Sequence, residues 1–156
     1  MEVYIDLQNN CENDEEYLSL EKLTLWAKTA LTVGGHTKDS EITVRMVAPD
    51  EIHELNNTYR HIDRPTNILS FPFDCPEGID LPLLGDLVVC FEILKKEAQE
   101  QHKTLEEHFA HLIVHGCLHL IGYDHIEQED AKVMEPLEIK AVEELGFDNP
   151  YKDDEY

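Results

Sequence analysis

The sequence predicts an α+β domain: a single mixed sheet of about four strands packed with four or five helices. Three observations carry that reading. Short β-rich segments alternate apolar and polar residues, longer segments repeat apolar residues every three or four positions, and the two kinds do not strictly alternate along the chain. The 156 residues suit one domain able to bury a real core. That domain is expected over residues 1–148, with 149–156 a loose acidic tail.

Taken in order, Val3–Leu7 alternates as a first strand. From Glu15 to Leu31, Leu18, Leu20, Leu23, Trp26, Ala27 and Ala30 recur at broadly helical spacing, and Gly34-Gly35 ends the run. Glu41–Val47 alternates cleanly and is β-rich, a second strand. Pro49, followed by Asp50 and Glu51, opens a helix that carries Ile52, Leu55 and Asn56 toward Tyr59. Asn67–Phe73 reads as a strand stopped by Pro72, hence an edge or strand end. Gly85–Phe91 is a further strand with a continuous apolar run. Helical patterns then cover Glu92–Gln101, Thr104–Ile121 and Glu127–Leu145, the last ended by Gly146 and interrupted by Pro136.

Composition bounds the function. Hydrophobic residues at 42% and charged residues at 29% describe a soluble globular chain, with no apolar run approaching the roughly 18 residues of a membrane span. Met1–Asp6 has an early acid and no basic lead into an apolar stretch, so a secretory signal is not expected. Cys11, Cys75, Cys90 and Cys117 form no C-x-x-C pair, which fits reduced thiols in the cytoplasm. A net charge of −22 argues against broad binding of nucleic acid, DNA included. The charge is uneven, however: residues 60–73 hold Arg60 and Arg64 against Asp63 alone, so an RNA or phosphate ligand enters there.

The chemistry centres on His115-Gly-Cys-Leu-His119-Leu-Ile-Gly-Tyr-Asp-His125. Residues i and i+4 of a helix stand one above the other, so His115 and His119 can offer nitrogens to one ion. Gly122 can end the helix and turn the chain, returning His125 to the same ion. Three neutral imidazoles leave the fourth position of a tetrahedral Zn²⁺ for water, whose pKa zinc lowers to about 7. By chance such a triplet arises in about 0.03 of shuffled chains with this histidine content. Cys117 points away from both histidines and is expected to be buried and inert. His108 and His111 are expected at the surface or behind the ligands, and His36, His53 and His61 outside any metal site. The spacing also matches the metzincin proteases, but those need Glu where this chain has Gly116, and Met134 makes no following Met-turn.

Two blocks together, Asn57-Thr-Tyr-Arg-His-Ile-Asp-Arg-Pro-Thr-Asn-Ile-Leu-Ser-Phe-Pro-Phe and His115–His125, make the chain resemble the YbeY family over nearly its full length. That resemblance implies an α+β fold and one Zn²⁺ per chain on His115, His119 and His125. It also implies cleavage of single-stranded RNA in 3′-end maturation of 16S ribosomal RNA and in ribosome quality control, with the small subunit and its proteins as partners. The family's arginine falls on Arg60, while Asn67 stands where some relatives carry Asp. Arg60 presents a fork of donors suited to phosphate, or else forms an ordinary ion pair with Asp63 or another carboxylate. Asp124 orients an imidazole or carries a proton, or else caps the helix. Phe71 and Phe73 are expected in the core, with base stacking the other reading. The nucleophile is either zinc hydroxide or the RNA's own 2′-OH. Two rival functions are a zinc hydrolase of peptides or small molecules and a non-catalytic ribosome-associated zinc protein.

Overall fold

Alternation in Ser40–Val47 buries Ile42, Val44 and Met46 on one face and leaves Thr43 and Arg45 half-buried on the other. Such a strand needs a cover on each side, and the computed structural model, which describes residues 1–9, 19–73, 78, 81–123 and 128–150, supplies both. The elements are β1 (Val3–Asn9), α1 (Leu20–Val33), β2 (Ser40–Val47), α2 (Pro49–Arg60), β3 (Ile68–Pro72), β4 (Leu83–Cys90), α3 (Phe91–Glu100), α4 (Leu105–Leu120) and α5 (Gln128–Glu144). The sheet runs β1-β2-β4-β3, with β1, β2 and β4 parallel and β3 antiparallel to β4. It is mixed, as expected, and Pro72 ends an edge strand.

The main core packs α1, α4 and α5 on one face. Trp26, Leu31, Phe109, Ile113 and Met134 meet Ile42, Val44, Leu87 and Val89 there. A smaller cluster of Val47, Ile52, Leu69, Val88 and Cys90 seats α2 on the other face. Phe109 makes edge contacts with Trp26 at 5.4 Å and Phe91 at 5.9 Å, tying α4 to α1 and α3. Such pairs add about 0.5–1.5 kcal/mol beyond their buried area.

Local signals account for most boundaries. Ser19 caps α1 through its hydroxyl on Lys22 N–H, 3.2 Å away. Pro49 opens α2 at its first turn. Thr104 and Glu107 form a reciprocal capping box at the start of α4. Several boundaries differ from expectation, those of β1, β3 and β4 by one or two residues. Described helix α1 begins at Leu20, which is exposed, and the expected start at Glu15 lies outside the described residues. Phe91 belongs to α3 rather than to the preceding strand, because its ring is fully buried against α4 after the chain leaves the sheet. Helix α5 runs through Pro136, which is exposed and cannot donate the backbone bond of a helix interior. Among the described residues no helix is long and apolar enough to cross a membrane.

Candidate active site

Histidines 111, 115 and 119 repeat every four residues, so α4 carries them as one half-buried stripe between its two core-packed flanks. The His115 and His119 rings lie 4.7 Å apart between centroids, at 70° to one another. Two imidazoles this close can present nitrogens to one cation. Gly122 ends the helix as its sequence position demands. With φ at 105°, it donates its N–H to His119 O at 3.0 Å, and Tyr123 N–H reaches Leu118 O at 3.0 Å. That pair of bonds is a Schellman stop, for which glycine is favoured because a Cβ would clash at positive φ. The Tyr123 hydroxyl then donates to Gly34 O at 3.0 Å, pinning the turn to the end of α1. His125 and Asp124, the expected third ligand and its neighbour, lie outside the described residues. Among the described residues no group of three or more His, Cys, Asp or Glu is placed to hold a metal ion.

The sequence reading passed over Glu138. Its carboxylate is fully buried on α5, where Oε1 bonds His115 Nδ1 and Oε2 bonds His111 Nε2 at 3.1 Å. Metal-binding histidines commonly anchor their second nitrogen on a carboxylate, so the donor set fits a divalent ion. Burial holds the His111 pKa below the ordinary imidazole value, outweighing the upward pull of Glu138. A signal for Glu138 was present: it shares the apolar stripe of α5 with Met134, Ala141 and Val142, all buried. An acid at a core position of an amphipathic helix needs a partner.

Gly116 and Cys117 face the core. A Cβ built on Gly116 would stand 2.7 Å from Leu87 Cδ2 and 3.1 Å from Ile68 Cδ1, so a side chain there would push these methyls aside. A protease-type glutamate there would have to displace these core side chains. Cys117 is wholly buried, which pushes its thiol pKa up to about 12, and the expectation of an inert thiol holds.

Of the two placements expected for His108, at the surface or behind the ligands, the first does not hold. His108 is buried, with Nε2 3.0 Å from Glu97 Oε1, an oxygen that also accepts from Asn67 Nδ2 at 3.0 Å. Burial raises the Glu97 pKa, but the His108 and Asn67 hydrogen bonds and the His108 charge outweigh it, and the net shift is downward. Asn67 thus ties the start of β3 to α3.

Arg60 sits exposed at the last turn of α2. The alternative pairing with Asp63 does not form, since Asp63 bonds His53 Nε2 at 2.7 Å. Buried Asn56 holds the following loop by donating to Arg64 O at 2.8 Å, and His61 takes the left-handed conformation, φ 59°, that closes the helix. Beside Arg60, Tyr59 is 63% exposed and meets Phe71 edge-on at 5.3 Å. Phe71 packs partly on the smaller core, whereas Phe73 is exposed beyond the end of β3, against the expectation that both are core.

Residues 7–146 match the model of the family described as endoribonuclease YbeY. The chain is also similar to TM1509 of Thermotoga maritima, known from a solution structure. The two share 31% identity over 92% of this chain and 88% of that one, with a TM-score of 0.60. A match over most of the length, including both histidine-bearing and arginine-bearing blocks, places this chain in the YbeY endoribonuclease family.

Proposed function

We propose that the chain is a zinc-dependent endoribonuclease of single-stranded RNA, acting in the cytoplasm in 3′-end maturation of small-subunit ribosomal RNA and in ribosome quality control. One observation carries the reading: the His115–His119 pair at the stopped end of α4, with His115 anchored on a buried carboxylate, in a chain of an endoribonuclease family. One zinc ion per chain, held by His115, His119 and His125, supplies Lewis acidity that polarises the phosphoryl oxygen or lowers the pKa of a water.

The chain's own residues do the rest. His115 and His119 are fixed by a rigid helix, and Asp124 orients the neighbouring ligand. The Arg60 guanidinium, exposed and without an ion-pair partner among the described residues, holds the phosphate and offsets its developing charge. Tyr59 and Phe71 offer ring surface to bases, worth about 1–3 kcal/mol per stacked base. With a net charge of −22, the molecule as a whole repels RNA, so substrate enters at the Arg60–Arg64 corner. Basic ribosomal proteins suit the acidic surface elsewhere. The peptide-hydrolase reading is disfavoured by the packing of Gly116 on Leu87.

The test uses purified protein stripped by chelator and reloaded with zinc, offered single-stranded and double-stranded RNA from the 3′ end of small-subunit ribosomal RNA. Metal-dependent cleavage of the single strand, lost in His115→Ala, is the expected result. Full activity in excess chelator, or equal cleavage by His115→Ala, would overturn the proposal.

A further inference from the structure

A buried carboxylate is costly unless its oxygens are bonded, and Glu138 is wholly buried. Its two oxygens go to two histidines one helical turn apart: Oε1 to His115 Nδ1, Oε2 to His111 Nε2 at 3.1 Å. The ionised form of this carboxylate only accepts, and with it these two contacts call for a proton on each of those nitrogens. For His115 the consequence is chemical. Nδ1 is spoken for, and the lone pair stays on Nε2. A carboxylate held at one oxygen alone could turn about its terminal bond. The second bond, to His111, fixes its plane and keeps Oε1 aimed at His115.

We infer that Glu138 is a positioning residue, clamped by His111, which sets the tautomer and ring orientation of His115 so that Nε2 alone faces the metal. The inference rests on the metal reading proposed above. It adds that the affinity of the site depends on a residue of α5 that touches no metal and no RNA.

The experiment measures zinc binding by titration calorimetry for wild type, His119→Ala and Glu138→Gln, with apo-protein melting temperatures alongside. Outer partners of metal-binding histidines are typically worth about 10–100-fold in affinity. Glu138→Gln is therefore expected to bind zinc about 10–100-fold more weakly, while its apo form melts close to wild type, because the amide fills the same space. Wild-type zinc affinity in Glu138→Gln, with binding abolished in His119→Ala, would overturn the role of Glu138 and leave the metal site standing. No zinc binding by wild type would instead sink the metal reading and this inference with it. Nitrogen-15 spectra of zinc-loaded wild type give a second readout that needs no variant. They are expected to show His115 protonated at Nδ1 and metal-bound at Nε2, and the reverse pattern contradicts the clamp.

Discussion

Arg60 and Glu138 mark the two ways a single residue serves this site. Arg60 is exposed at a helix end, so its removal should leave the fold intact, within about 0.5 kcal/mol. Losing one preorganised charge stabiliser typically costs about 10²–10³ in rate. Arg60→Ala should therefore lower single-turnover RNA cleavage by about that factor with an unchanged denaturation midpoint. Cleavage at the wild-type rate would remove Arg60 from the mechanism. Glu138 is the opposite case, invisible to solvent and bonded to two imidazoles. Its importance was harder to see from sequence, because the acid-rich 126–156 segment hides one structural carboxylate among eleven. The histidine triplet was legible because its spacing and its glycine have a geometric meaning along one helix. Glu138 acts across two helices, and no spacing rule connects residue 115 to residue 138.

At the scale of elements, α4 does two jobs at once, and Gly116 lets them coexist. The half-buried histidine stripe meets Glu138 of α5, while the flank at Gly116 lies so close to β4 that a Cβ there would stand 2.7 Å from Leu87 Cδ2. Gly116→Ala should destabilise the protein by about 1–3 kcal/mol through overpacking, more than the gain in helix propensity returns. Chemical denaturation checks it, and a stabilised variant would show that the helix can back away from the sheet. Elements with strong periodicity were readable in the sequence: the β2 alternation, the α4 stripe and the proline start of α2 all form where expected. The limits of β3 and β4 and the first residue of α3 were less so. Phe91 is a good strand residue by type, yet it starts a helix, with its ring packed edge-on against Phe109. Phe73 misled for the related reason that its apolar character says nothing about where an edge strand stops.

Across the whole molecule, stability and charge are linked through the polar bridge from β3 to α3 to α4. Asn67 and His108 both bond Glu97 and hold its pKa below the ordinary carboxylate value against the upward push of burial. A group with a depressed folded pKa contributes stability that is complete above its unfolded value of 4.5 and is lost as pH falls through the folded one. Wild type should therefore lose stability below about pH 4.5 more steeply than Glu97→Gln in urea melts from pH 6 to 3. Parallel curves would mean that Glu97 takes no part in the acid response. The fold class itself was legible because length, strand alternation and helical stripes all point to one layered arrangement. The strand order was not, because nothing local in β3 says that it pairs antiparallel with β4 at the far edge from β1.

The central claim is that His115 and His119 share one ion on which RNA cleavage depends. Elemental analysis of protein purified without added metal tests it most directly, paired with cleavage rates of the same samples. One zinc per wild-type chain, none in His119→Ala, and activity tracking metal content is the predicted result. His119→Ala retaining a full equivalent of zinc, or metal-free wild type cleaving at full rate, would contradict it.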